Sequence, residues 1–346
     1  MGFEFNRQVR LLEGAFLDDA RRLLGENGLR LEDNVDFTLG VVEDGELLAT
    51  ASLTGKVIKC LAVAKEHRGR GLTALLIGEL SNRLADEGIH HRFVYTQAPS
   101  AELLLDLGFS EIARVGEELV LLEAGLPTVE DWYAKLAAKR QSSSGAASVV
   151  VNANPLTKGH LHLLETAKRE QGVLHILVVS EERSSFSAKD RLSIIERATA
   201  DWDDTFVHEA GDYIVSMATF PAYFSREEDL ARLQAALDVE LFRRYVVPAL
   251  GITTRYVGEE PYCPITRLYN EVMGEVLPRH GIAFKVIERK SFQGEAISAS
   301  RVRTLLREGV ELDSLAELIP DSTLEFLKSR RGREVIHALG ESSGRH

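Results

Sequence analysis

Val149-Val150-Val151-Asn152-Ala153-Asn154-Pro155-Leu156-Thr157-Lys158-Gly159-His160 is the stretch on which the fold of this chain turns. Three β-branched residues run without alternation, as in a strand covered on both faces, and a parallel sheet supplies that environment. Pro155 disfavours helix at the residue before it. From Gly159 to Glu170 the apolar period becomes helical, with Leu161, Leu164 and Ala167 on one face. The helix start offers free N–H groups and the positive end of the helix dipole, a setting suited to phosphate. Gly159 lets backbone approach a ligand, and Thr157 and His160 carry donors. A plain helix cap would use Thr157 as well.

The same alternation continues downstream. Val173 to Val179 reads as a strand, Lys189 to Ala200 as a helix with Leu192, Ile195 and Ala198 aligned, and Thr205 to His208, Arg255 to Val257 and Phe284 to Ile287 as further strands. Strands alternating with helices imply a Rossmann-like parallel sheet. Glu228 to Tyr245 reads as a helical insertion. Upstream, Val129 to Lys139 reads as a short helix, and Lys139 to Ser148 as a linker of small polar residues.

The first part follows another pattern. Leu47 to Leu53 after an Asp44-Gly45 turn, and Lys59 to Val63, read as adjacent antiparallel strands. Arg68-Gly69-Arg70-Gly71-Leu72 enters a helix with Leu72, Leu75, Leu76 and Leu80 on its buried side. Arg92 to Tyr95 is a strand, Ala98 to Leu107 a helix stopped by Gly108, and Phe109 opens the last strand. The expected fold class is therefore α/β, with an N-terminal α+β domain ahead of a parallel-sheet domain. The boundaries are residues 1–125, a helix and linker over 126–147, and a second domain over 148–340.

The chain has 346 residues, 41 Lys plus Arg against 53 Asp plus Glu, and a formal net charge of −12. An acidic chain is a poor general polyanion binder, which disfavours nucleic acid as the main partner. Cys60 and Cys263 form no metal or disulfide framework, and a reducing cytoplasmic setting suits them. Neither a secretory signal nor a membrane span is expected. No residue is singled out as a metal ligand.

A second phosphate-type segment is Ile297-Ser298-Ala299-Ser300-Arg301-Val302-Arg303, again at a helix start. Ser298 and Ser300 can cap and face phosphate, and Arg301 can make a forked contact with it. Lys158 and Lys189 are further phosphate partners by type, although solvated lysines are common. Gly211-Asp212-Tyr213 suits the adenine or acyl side of a cleft, or a capped turn. Glu259 and Glu260 follow the strand around Val257. Cys263 has no base beside it and reads as structural. In the first part, Glu66, His67, His90 and His91 are general-base candidates by residue type alone.

The Thr157–His160 motif paired with Ile297–Arg303 resembles nucleotidyltransferases with HxGH-type signatures, the first His being Thr157 here. Asn152 to Pro155, Gly211 to Ser216, Ala218-Thr219-Phe220-Pro221, Val257 to Cys263 and Ile297 to Arg303 together resemble the citrate lyase ligase family. The Arg68 to Thr73 loop resembles the acyl-CoA pyrophosphate loop of GNAT acetyltransferases, with Thr73 where that loop often has Gly or Ala. The resemblance covers nearly the whole chain. It implies ATP-dependent acetylation of a prosthetic-group thiol on the acyl-carrier subunit of citrate lyase. Acetyl-adenylate would be the intermediate, AMP and pyrophosphate the products, and ATP and Mg²⁺ the cofactors. It implies catalytic roles for His160, Thr157 and Arg301. It implies binding roles for Asn152, Asn154, Pro155, Lys158, Gly159, Gly211, Asp212, Glu259, Ser298 and Ser300, with Arg68, Gly69, Arg70 and Gly71 holding the CoA-like arm. Two other functions share some of these motifs: a stand-alone adenylyltransferase of the pantetheine-phosphate or NMN type, and a non-catalytic acyl-CoA sensor.

Overall fold

The computed structural model describes residues 7–140, 145–180, 184–214, 227–261 and 263–341. The chain divides into two compact units, Met1–Asp131 with Thr219–Glu240, and Trp132–Ala218 with Leu241–His346.

Unit 1 holds a seven-stranded sheet. Its strands are β1 (Gln8–Leu11), β2 (Phe37–Glu43), β3 (Glu46–Thr54), β4 (Val57–Val63), β5 (His91–Thr96), β6 (Ser110–Val115) and β7 (Leu119–Gly125), in the order β1-β2-β3-β4-β5-β7-β6. Helices α1 (Ala15–Glu26), α2 (Leu72–Asp86) and α3 (Ala98–Asp106) complete it. Every neighbouring pair is antiparallel except β4 and β5, which run parallel and register only at Val57 with Phe93 and Ile58 with Val94. Cys60, at φ 51, then kinks β4, as one extra residue in a strand does. Helix α2 buries Leu72, Thr73, Leu76, Ile77, Leu80 and Leu84. Leu75, expected on that face, is exposed. The i, i+4 row from Leu72 to Leu84 leans towards 73 and 77, and Leu75 lies on the far flank. Phe109 precedes two strands, β6 and β7, rather than one.

Unit 2 begins within α4 (Val129–Ala137), at Trp132, whose ring packs tilted against Tyr213 with centroids 5.0 Å apart. There follow β8 (Ala146–Val151), α5 (Lys158–Gln171), β9 (Leu174–Val178), α6 (Ala188–Ala198), β10 (Thr205–Glu209), α7 (Glu227–Leu241), a π-helical turn Phe242–Val246, α8 (Val247–Leu250), β11 (Ile252–Gly258), α9 (Pro264–Val276) and β12 (Ala283–Ile287). A small hairpin, β13 (Ser291–Phe292) and β14 (Glu295–Ala296), leads to α10 (Ala299–Arg307), α11 (Asp321–Lys328) and α12 (Arg330–Glu341). Helix α7 belongs with unit 1 up to Glu240.

Five strands form a fully parallel sheet in the order β10-β9-β8-β11-β12. The chain steps outward from β8 to β10, then returns to the other side of β8, so the order reverses between β8 and β11. Ligands of open α/β sheets bind outside the strand carboxyl ends at such a switch point. One face packs Val149, Val151, Ile176 and Val178 with Leu164 and Ala167 of α5 and Ile194 and Ile195 of α6. Each fully buried Leu or Ile there is worth about 1.5–3 kcal/mol, so the sheet is a rigid base for its loops. The other face carries His175 and His208, both buried and 2.9 Å apart from Nδ1 to Nε2.

The segment expected to be a linker up to Ser148 differs in its last part. Ala146, Ala147 and Ser148 are buried in β8 and paired with β9 or β11. Small residues read as a loop in the sequence, but a central strand tolerates them when both neighbours cover it. Residues 141–144 of that segment, and residues 215, 216, 218–221 and 262 of the family resemblance, lie outside the described residues.

Candidate active site

Five loops leave the carboxyl end of the parallel sheet. They carry Asn152 to Leu156 after β8, Ser180 after β9, Gly211 to Tyr213 after β10, Glu259 and Glu260 after β11, and Arg289 after β12. Most of the unit 2 residues expected from the sequence lie in these loops or at the start of the helix that follows β8.

Thr157 is the N-cap of α5 and His160 closes a reciprocal capping box with it. The Thr157 N–H donates to His160 Nδ1 at 3.1 Å, and the His160 N–H donates to Thr157 Oγ1 at 3.4 Å. A backbone N–H only donates, so Nδ1 is an acceptor and the neutral ring carries its proton on Nε2. Burial, with the Arg289 charge behind it, pushes the His160 pKa down to about 4. At neutral pH His160 is therefore an uncharged Nε2–H donor. Thr157 is fully buried and its hydroxyl lies 2.9 Å from His160 Nδ1. Its hydroxyl and its N–H thus both engage His160. Lys158, the first residue of α5, donates its N–H to Leu318 O at 2.9 Å.

The two phosphate-type motifs meet. A Cβ placed on Gly159 would stand 2.8 Å from Ile297 O, so glycine is required by the second motif's backbone. The sequence had suggested room for a ligand there. Arg303 Nη1 donates to Asn154 O at 2.5 Å. Ser298 caps α10, accepting from the Arg301 N–H at 3.2 Å. Ser300 is not the cap; its Oγ accepts from Arg303 Nη2 at 3.2 Å. Arg301 Nη1 stands 2.9 Å from Glu295 Oε2, a carboxylate 70% exposed that phosphate can displace.

The Asn152–Pro155 turn is tightly held. Asn152 Oδ1 accepts from Arg191 Nη1 at 2.7 Å, and Asn154 Oδ1 accepts from the Phe186 N–H at 3.0 Å. The Asn154–Pro155 peptide is cis and Pro155 is buried. Gly211 to Tyr213 form a single 3₁₀ turn in which the Gly211 N–H donates to Ser180 Oγ at 3.0 Å. Arg289 Nε donates to Glu259 O at 2.6 Å, and its guanidinium pairs with Glu260. The Glu259 contribution is thus a backbone carbonyl. Arg289 and Arg191 went unnoticed in the sequence, because an isolated arginine carries no motif; only the strand ends bring them to the site.

Unit 1 has its own cavity, of about 920 Å³. It opens where β4 and β5 part, between Leu61 to Val63 and Val94 to Thr96, and Arg68, Gly69, Gly71 and Thr73 line it. Gly71 caps α2 in the left-handed region, at φ 74, so the loop turns its N–H groups towards a helix start. Arg68 donates to Asn27 Oδ1 at 2.8 Å. Arg70 does not line the cavity: its guanidinium bonds Glu43 at 2.8 Å and His67 Nδ1 at 2.6 Å. Of the base candidates, His67 lines the cavity, and His91 is buried against Glu123 at 2.8 Å as a structural pair.

Comparison with known proteins adds the following. Residues 146–327 match the family model described as citrate lyase ligase C-terminal domain, and residues 7–109 match the acetyltransferase (GNAT) family model. The chain is 34% identical over 334 residues to [citrate [pro-3S]-lyase] ligase of Escherichia coli strain K12, covering 95% of each chain. It is 36% identical over 311 residues to the protein of the same name from Klebsiella pneumoniae, covering 88% of this chain and 91% of that one. Among solved structures, the ribosomal-protein-S18-alanine N-acetyltransferase of Escherichia coli aligns with 35% of this chain and 95% of its own, at 15% identity and a TM-score of 0.29. Among the described residues no helix is long and apolar enough to cross a membrane.

Proposed function

The chain belongs to the citrate lyase ligase family and is a ligase acting on citrate lyase; from that premise we propose that it acetylates a carrier thiol through acetyl-adenylate, at the strand ends of unit 2. An acetate oxygen attacks the α-phosphorus of ATP, the bond to the bridging oxygen breaks, and pyrophosphate leaves. The carrier thiol, on a phosphopantetheine-like arm of the acyl-carrier subunit, then attacks the acetyl carbon. AMP leaves, and the thiol proton passes to solvent.

Neither step needs a covalent enzyme intermediate. Both need reactants held in line and developing phosphate charge met by fixed donors. His160 supplies a neutral donor at the start of α5, Ser298 the capped start of α10, and Arg301 a fork for phosphate. Among the described residues no cluster of three or more His, Cys, Asp or Glu is placed to hold a metal. A protein cage for Mg²⁺ does not fit these residues. Mg²⁺ is bound chiefly by substrate phosphates in many nucleotide sites, and in this reaction the phosphates of ATP would hold it. The unit 1 cavity, with Arg68, Gly69 and Gly71 at its lip, suits the diphosphate of the CoA-like arm.

The observation that carries the proposal is the contact of Gly159 with Ile297 O, which joins both phosphate-type motifs at the switch point of a parallel sheet. The deciding experiment supplies ATP, acetate and the carrier subunit. AMP and pyrophosphate should form together, require acetate, and match the thioester formed. Adenylyl transfer to a phosphate-bearing acceptor, without need for acetate, would replace this function with a stand-alone adenylyltransferase.

A further inference from the structure

The proposed reaction leaves Arg191 unused, although its guanidinium bonds two of the site's loops, the one after β8 and both ends of the one after β9. Arg191, on α6, is the largest fully buried side chain among the described residues, at 0% exposure. Its Nε donates to Phe186 O at 3.0 Å. Around Nη1 stand Val179 O at 2.6 Å, Asn152 Oδ1 at 2.7 Å and Asn152 O at 2.9 Å. One group thus ties the end of β8, the end of β9 and the approach to α6. Phe186, held at its carbonyl by Arg191, donates its own N–H to Asn154 Oδ1. Both asparagines of the loop are gripped, one directly and one through Phe186.

Between them, Ala153 sits at φ 47. A residue with a Cβ is strained in that left-handed region, and the strain persists only where the surroundings fix it. An apolar side chain of equal volume would fill the space but leave inward-facing carbonyls without donors. We propose that Arg191 is a positioning residue for adenylyl transfer: its buried guanidinium holds the Asn152–Asn154 kink that delivers Thr157 and His160 to the nucleotide. This rests on the adenylylation proposed above. Arg191 itself is out of reach of any ligand, so it acts wholly through the loop.

The test uses the full chain and acetate-dependent pyrophosphate release, with four proteins: wild type, Arg191→Lys, Ala153→Gly and the double variant. Lysine keeps the charge but cannot span separate acceptors as a fork. Arg191→Lys should stay folded, with kcat reduced about 30- to 100-fold and KM for ATP changed by less than about 3-fold, as for a misplacement near 1 Å. Ala153→Gly alone should change kcat less than about 3-fold, since glycine takes the kink without strain. In the double variant it should return kcat about 5-fold or more towards wild type, because less grip is then needed. A loss of activity that follows only the folded fraction, or no rescue by Ala153→Gly, overturns the proposal. So does failure of both Arg191→Lys proteins to fold, which would make Arg191 a folding residue only. If wild type proves to adenylylate another acceptor, the function fails, and the same four proteins are compared on that acceptor.

Discussion

Gly159→Ala isolates the junction between the two phosphate-type motifs. The added methyl would lie 2.8 Å from Ile297 O, 3.5 Å from Thr157 Oγ1 and 3.6 Å from the Ile297 Cβ. Gly159 is helical, so alanine meets no backbone strain and gains up to about 1 kcal/mol of helix propensity. Only the contact with Ile297 opposes the change. That neighbour is a backbone carbonyl, which cannot swing aside like the tip of a lysine. Restoring an ordinary separation near 3.4 Å requires the α10 segment to retreat by about half an ångström. Since a misplacement of about 1 Å can cost ~10²-fold in rate, about 10-fold is expected here. The assay is acetate-dependent pyrophosphate release, run beside a thermal melt. Gly78→Ala in α2, where the new methyl meets nothing within 4 Å, serves as the control and should leave the rate unchanged. A folded Gly159→Ala protein within 2-fold of the wild-type rate would refute the idea that this contact sets the site.

His160→Ala should lower pyrophosphate release by about 10²–10³ with the fold retained, as for loss of one transition-state donor; release within a few-fold of wild type would remove His160 from the reaction. Arg301→Lys should impair nearly as much as Arg301→Ala, because a point charge does not replace a fork, and full activity with lysine would reduce Arg301 to a source of potential. Burial holds His175 at about 4 and His208 at about 3, against 6.5 when free, so the unfolded chain takes up protons first as pH falls. Stability present above about pH 6.5 is lost on the way to pH 4, by on the order of 3 kcal/mol for each group at most. The melting temperature should fall over that interval and fall less in a His175→Phe, His208→Leu variant; equal slopes would refute it.

The elements that followed a clear period were legible in the sequence. Three valines before Asn152 gave β8, and the later alternation gave the parallel sheet. What escaped were features that depend on two distant segments. Gly159 is read alone as room for a ligand, and its neighbour Ile297 is 138 positions away. The Arg289 charge acts on His160 because the sheet brings the ends of β8, β11 and β12 together, a pairing no local pattern encodes. Arg191 sits on the buried side of α6 beside Ile194 and Ile195, where periodicity calls for an apolar residue. A charged residue breaking an apolar stripe was the one signal available, and the sequence reading passed over it. Arg70 misled in the opposite sense: it lies within a glycine-rich loop, but Glu43 was too distant in sequence to be seen as its partner.

The charge state of His160 bears on how the site divides its work. A cationic imidazole would add to Arg289, Arg301 and Arg303 and bind any polyanion strongly, in ground state and transition state alike. Such uniform binding lowers KM without speeding the chemical step. Instead His160 is held neutral, its Nδ1 fixed by the Thr157 N–H and its pKa near 4. A neutral donor gains most when charge increases on the oxygen it faces; in the proposed reaction charge grows on the bridging oxygen that leaves with pyrophosphate, and His160 would act by meeting it. The arginines bear much of the static charge: Arg289 is balanced by Glu260 and Arg301 by an exposed Glu295. If triphosphate binds Arg301 as proposed, it would displace Glu295: one carboxylate would move to water and one guanidinium fork would change partner, with no ion left unpaired in a buried place. In the proposed reaction, discrimination between ground and transition state would then fall to His160, with the capping box to Thr157 keeping its donor aimed.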